Sequence, residues 1–304
     1  MKAEKASVFC SHTTHTKKDD RERIYAVKRV IVTADDFGMC KYVDDAILEL
    51  MHIGTLTSTN VLTNYGSLER MEELKKIPNV SVGIHWNITS GRPVSKPNDI
   101  PTLVDAAGKF YSLTEFKKRC ALHKIREQDI ETELRAQYEL LYKTYGKTAS
   151  YWNTHENSSH VKTVFNICCR LAKEYKIPAT RIFDRVYLDF DMVKSFPRRM
   201  REYTVRAVLH NRYAKIRKDF KMPDARLVAF SNEIKTNIDR NRKAILSSEH
   251  TNIEMVIHPA TDIDLELFGN IGQDRIREYE LHKSKEMYDL LHNDQITAIT
   301  FEDL

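Results

Sequence analysis

Four places in the chain carry side chains able to bind a cation or move a proton directly after a run of β-branched or apolar residues. They are Asp35-Asp36, His85 with Asn87, His155 with Glu156 and Asn157, and His258. Two neutral imidazoles and one carboxylate make a three-ligand metal set that leaves a position open for water, as hydrolytic metal sites require. Such a site also needs a base that is not itself consumed as a ligand, and two adjacent aspartates can divide those roles. Taken singly, an Asp or His in such a place is commonly a cap or a satisfied turn residue, and capping of the next helix is the competing reading for Asp35-Asp36. Their coincidence points to chemistry.

The elements that must hold these residues alternate. Val27 to Thr33 is a β-branched run ending at Ala34-Asp35-Asp36-Phe37-Gly38, where Gly38 marks a turn. Tyr42, Val43, Ala46, Ile47, Leu50 and Met51 then repeat at helical spacing, with Gly54 placed to stop the helix. A strand near Thr57 to Thr63, a helix over Leu68, Met71 and Leu74, and a strand through Val80, Val82 and Ile84 complete β-α-β-α-β by His85. After a long loop from Trp86 to Ser112, helices are expected at Leu113 to Leu122, Ile130 to Tyr145 and Val161 to Tyr175. Strands are expected at Ser150 to Thr154, Ala179 to Phe183, Arg226 to Phe230, Ile253 to Ile257 and Ile296 to Thr300. Repeated strand-helix units imply a distorted (β/α) barrel of about seven parallel strands, whose active residues sit at the carboxyl ends of the strands. Residues 27–304 are expected to form that single domain, with an inserted basic helical segment near 186–222 and a polar, mobile tail over 1–26.

Composition narrows the classes. The 304 residues carry 48 Lys and Arg against 43 Asp and Glu, a net charge of +5, but the signs are mixed along the chain rather than gathered into a basic block. Nucleic acid is therefore not the expected partner. No stretch approaches the ~18 consecutive apolar residues of a membrane span, and the polar N-terminus lacks the apolar stretch of a secretory signal, so a cytoplasmic location is the default. Cys10, Cys40, Cys120, Cys168 and Cys169 lack zinc-ribbon spacing and read as reduced thiols.

Four motifs in order resemble the YdjC/ChbG-type carbohydrate deacetylases, relatives of the NodB-type polysaccharide deacetylases. Ile31 to Gly38 is similar to that family's opening strand with its Ala-Asp-Asp-Phe-Gly signature. Val82-Gly83-Ile84-His85-Trp86-Asn87-Ile88-Thr89, followed by Gly91-Arg92-Pro93, resembles its second motif. Glu254 to Pro259 resembles the late motif, and Arg277-Glu278-Tyr279-Glu280-Leu281 its Arg-x-x-Glu-Leu. The third motif departs from the pattern. Asn153 stands where the family carries Asp, Ser159 falls where a last His is expected, and His160 follows one residue later.

Carried over, the resemblance implies that Asp36, His85 and His155 bind a divalent metal, magnesium or zinc, with Asp35 as general base and His258 as acid. The implied reaction removes an acetyl group from an N-acetylated amino sugar or short chitin-type oligosaccharide by attack of metal-activated water. Asn87, Arg92, Trp86 and Arg181 are the candidate substrate contacts. Trp86 could stack on a sugar or simply pack, Arg92 could reach a sugar or carbonyl oxygen, and Arg181 could pair with Asp35. Surface salt bridges are the alternative for both arginines. Two other readings stay open: a metal-dependent hydrolase of another bond, and a sugar-binding or regulatory protein that kept the fold without turnover. A homodimer is also left open.

Overall fold

The computed structural model describes residues 27–66, 68–182, 207–228 and 234–304. The expected tail over 1–26 and residues 186–206 of the expected insertion lie outside them. From the amino end run β1 (Lys28–Phe37), α1 (Lys41–Ile53), β2 (Ser58–Val61), α2 (Met71–Leu74) and β3 (Ser81–Trp86). A long loop leads to α3 (Leu113–Ala121), α4 (Glu127–Tyr145), β4 (Tyr151–Thr154), α5 (Lys162–Glu174) and β5 (Ala179–Thr180). Then come α6 (207–214), β6 (Ala225–Val228), α7 (Ile234–Ser247), β7 (Asn252–Ile257), α8 (Leu265–Phe268), α9 (Gly272–Lys283), α10 (Lys285–Leu291) and β8 (Ile296–Ala298).

The strands are parallel in the order β5-β4-β3-β2-β1-β7-β6, and β8 pairs with the first residues of β1. Seven strands curl into a distorted (β/α) barrel with helices around it. The edges approach each other where Lys221, ahead of β6, bridges Ala179 of β5, with Thr180 N–H donating to the Lys221 carbonyl at 3.0 Å. Helix α1 shows why the outer layer packs. Its apolar stripe, Val43, Ala46, Ile47, Leu50 and Met51, is buried against the sheet, and Gly54 ends it in the left-handed conformation with φ 87°.

Side chains alternate between the barrel interior and the helix layer, and this decides which residues meet. Tyr151 points inward and stacks on Phe301 with ring centroids 3.8 Å apart, which fills the barrel's lower end with Ile31, Ala179 and Ile299. Gly83 permits it, because a Cβ there would stand 2.6 Å from the Tyr151 ring. One level up, Asn60, Asn153, Arg181 and Glu254 carry polar groups into the interior. Strand β1 runs four residues further than the β-branched pattern suggests. Its register slips between Ala34 and Phe37, and Asp36 adopts φ 79°. That bulge lets two consecutive aspartates face the same cavity, and the expected turn follows at Gly38, with φ 89°.

Helix α4 fixes the loop that follows β3. Its buried Glu133 accepts from the Val94 and Ser95 N–H groups at 3.0 and 2.9 Å, Asp129 accepts from Thr102 N–H at 2.9 Å, and Gln137 exchanges hydrogen bonds with the Asn87 backbone. Among the described residues no helix is long and apolar enough to cross a membrane.

Candidate active site

A cleft of about 500 Å³ opens at the carboxyl end of the strands, and Asp35, Asp36, His85, His155, His258 and Arg275 line it. Asp36 Oδ1 lies 3.3 Å from His85 Nε2 and 3.1 Å from His155 Nδ1, and these two nitrogens are 3.3 Å apart. The three donor atoms can hold one metal ion. His85 enters from β3. His155 opens a 3-10 turn (His155–His160) in which Glu156 and Asn157 take positive φ, a sharp bend after β4 that swings the imidazole back over the strand ends.

The second oxygen of Asp36 is taken. Arg275 Nη2 donates to Oδ2 at 2.5 Å, and its guanidinium lies over the Phe268 ring, 4.7 Å from the centroid. Burial opposes the charge on Asp36, yet Arg275 and the two imidazoles outweigh it and hold the carboxyl well below its usual range. Burial also works against charge on His155, but its contact with Asp36 prevails and raises the imidazole's pKa.

Asp35 has different company. Arg181 grips both its oxygens at 2.7 Å, Asn60 Nδ2 donates to Oδ1 at 2.6 Å, and Arg181 Nε continues to Glu254 at 2.9 Å. Desolvation again favours the neutral acid, and the guanidinium fork overcomes it, so Asp35 is ionised far below neutrality. His258 stands across the cleft with Nε2 3.7 Å from Asp35 Oδ2 and Nδ1 4.0 Å from Glu278, and its side chain is 40% exposed. Its crowded setting pulls it down to about 4, against the opposite pull of Asp35 and Asp36. Glu278, which accepts the His258 backbone N–H at 2.5 Å, is pushed up by burial to about 7.

A family model described as YdjC-like protein matches residues 29–293. The chain belongs to that family. A carbohydrate deacetylase of Clostridium beijerinckii is 26% identical over 281 residues, 91% of this chain and all of that one. A carbohydrate deacetylase of Geobacillus stearothermophilus is 37% identical over 149 residues, spanning 49% of this chain and 57% of its own length. A crystal structure from Enterococcus faecalis, of a candidate cellobiose-phosphate cleavage protein, superposes with a TM-score of 0.73 at 25% identity, covering 91% of this chain and 98% of that one.

For this YdjC-like chain the structure thus brings Asp35, Asp36, His85, His155, His258 and Arg181 to one cleft. Three expected substrate contacts are elsewhere. Trp86 is fully buried on the outer face of β3, its Nε1 donating to the Leu134 carbonyl at 2.9 Å, so strand parity that turns His85 inward turns Trp86 away from the cleft. Asn87 spends its side chain on the Thr89 and Ser90 N–H groups and the Ser90 carbonyl. Arg92 is exposed and donates to the Ala107 carbonyl at 2.9 Å, holding a loop rather than lining the cleft. His160 is likewise outside the cleft lining, and its carbonyl accepts from Arg212.

Sequence reasoning missed Arg275, Glu278 and Asn60. The Arg-x-x-Glu motif directed attention to Arg277 and Glu280, both exposed, while Arg275, Glu278 and His282 share the buried face of α9. Their spacing of three and four along a helix was the available signal.

Proposed function

We propose that this chain is a metal-dependent hydrolase that removes the acetyl group from an N-acetylated amino sugar or short chitin-type oligosaccharide. The observation that carries the reading is the convergence of Asp36 Oδ1, His85 Nε2 and His155 Nδ1, next to an ionised Asp35 and the His258 imidazole in one cleft. One carboxylate and two imidazoles suit zinc and accommodate magnesium or manganese less selectively. The donors fit: Arg275 occupies only Oδ2 of Asp36, leaving Oδ1 facing both imidazoles. A divalent cation held by Asp36, His85 and His155 would supply the polarisation of the acetyl carbonyl and the acidification of water that the reaction needs.

The chain's own groups supply the rest. Asp35 is kept ionised by Arg181, so an acceptor for the water's proton is present throughout the working range. The fork lowers its basicity, and the acidity of the water makes up the difference. An amine leaves poorly as an anion and needs a proton. His258, whose setting favours the neutral imidazole, stands 3.7 Å from Asp35 and is placed to pass the proton taken up there on to the departing nitrogen. Arg275 orients Asp36 through its Nη2.

The test is acetate release from diacetylchitobiose in the presence of zinc or magnesium. Acetate in stoichiometric amount with free amine is expected. Cleavage of an aryl ester without any acetate from the amide substrate would favour hydrolysis of another bond. Binding of the oligosaccharide with no turnover would establish a sugar-binding protein, the reading favoured by the amide that stands against His85 at position 153.

A further inference from the structure

We infer that Asn153 holds His85 in the imidazole tautomer protonated on Nε2, so that cation uptake by Asp36, His85 and His155 requires the Asn153 amide to turn over. This rests on the metal site proposed above. Asn153 is 5% exposed on β4, between His85 and Arg181. One end of its amide lies 2.5 Å from His85 Nδ1 and 3.3 Å from the Ile84 carbonyl. The other lies 2.9 Å from Asn60 Nδ2, 2.9 Å from Arg181 Nη1 and 3.2 Å from Nη2.

These neighbours decide which end is oxygen. A guanidinium has only protons to offer, and Asn60 Nδ2 is identified as nitrogen by its 2.6 Å contact with the Asp35 carboxylate. Three donors therefore surround one end of the amide, and its oxygen belongs there. The NH2 group then faces the Ile84 carbonyl, which only accepts, and His85 Nδ1. A neutral imidazole has one donor and one acceptor nitrogen, so an accepting Nδ1 places the proton on Nε2. That nitrogen is the one directed at Asp36 and His155, 3.3 Å from each.

A cation needs the lone pair of Nε2, hence a protonated Nδ1 and an acceptor beside it. Turning the amide supplies the acceptor but presses NH2 against Arg181 and Asn60, leaving buried donors unsatisfied. An aspartate at 153 would accept at both ends and meet His85 Nδ1–H and Arg181 together. Asparagine can satisfy one side at a time. Arg181 also holds Asp35, so the amide links occupancy of the metal site to the guanidinium that fixes the neighbouring carboxylate.

The experiment uses the full chain, metal-free at pH 8, with nitrogen-15 in its histidines, and reads the His85 tautomer by long-range nitrogen–proton correlation. His85→Gln assigns the signals. The parent should show Nε2–H, and Asn153→Asp should show Nδ1–H. In calorimetric titration with zinc chloride, Asn153→Asp should bind about 10–100-fold more tightly, the range by which outer-shell partners alter metal affinity. Nδ1–H already present in the parent overturns the inference, as does the same tautomer in both proteins, since tighter binding without a tautomer change is a plain charge effect. Equal or weaker zinc binding by folded Asn153→Asp overturns it too, and leaves the metal site standing. Zinc binding by neither protein contradicts the site and the coupling together.

Discussion

The two walls of the cleft are built by different means. On the β3–β4 side, His85 and His155 come from a strand end and the sharp turn that follows β4, and one ring nitrogen of each faces Asp36 Oδ1, while Asn153 stands behind His85. On the β7–α9 side, His258 leaves a strand end, while one face of a helix brings Arg275, a permanent cation, into the cleft and sets Glu278, a carboxyl pushed up to about 7, behind His258. The first wall gathers lone pairs. The second sets charge. Asp35 and Asp36 divide along the same line: the Arg181 fork saturates one, while the other keeps an oxygen for ligation.

The largest effect should come from emptying the first wall. His155→Ala should abolish both zinc binding and acetate release, while His160→Ala, outside the cleft lining, should retain stoichiometric zinc by mass spectrometry. Zinc lost from His160→Ala and kept by His155→Ala would reverse the assignment. Next in size is the division between the aspartates. Asp35→Asn should hold zinc yet lower kcat by about 10²–10⁴-fold, the contribution of a positioned general base, with a smaller change in KM. Parent-like steady-state rates would remove Asp35 from proton transfer.

How much of this was legible depended on which element carried the residue. Strand ends made Asp35, Asp36, His85, His155 and His258 readable, because a parallel α/β chain concentrates its polar strand-end residues at one mouth. Strand parity, which turns His85 inward, turns Trp86 one residue later to the outer face. Arg92 drew notice from its Gly-Arg-Pro setting, but a loop's direction is set by tertiary partners, here Ala107 and the buried polar face of α4, which no local pattern encodes. The bulge at Asp36 was equally hidden, since a β-branched run marks where a strand is strong rather than where its register slips. Arg275 is some 240 residues from Asp36 in sequence, and only the packing of α9 on the barrel joins them.

A subtler break concerns the charge-setting wall. Glu278 is raised from 4.5 to about 7 by burial, so the folded chain holds its proton more tightly than the unfolded chain. Its contribution to stability is fully present below pH 4.5 and lost as pH rises through 7, on the order of 3 kcal/mol at most. His258 is depressed from 6.5 to about 4, so its contribution runs the other way and grows as pH rises through that window. The two oppose each other in the parent. Glu278→Gln should unmask the His258 slope, and urea unfolding at pH 5 and pH 7 should show the variant gaining on the parent as pH rises. Parallel pH profiles would refute the pairing. The smallest effect belongs to the barrel's lower end, below both walls. Gly83→Ala forces the Tyr151 ring aside and should destabilise by about 1–3 kcal/mol in chemical denaturation, with zinc stoichiometry unchanged.

If Asp36, His85 and His155 hold one divalent cation, diffraction from zinc-soaked crystals, recorded on both sides of the zinc absorption edge, should locate it. A single anomalous peak is expected among Asp36 Oδ1, His85 Nε2 and His155 Nδ1, at the roughly 2.0–2.2 Å separations of zinc–oxygen and zinc–nitrogen bonds. A zinc peak elsewhere with none between these three atoms would contradict the account.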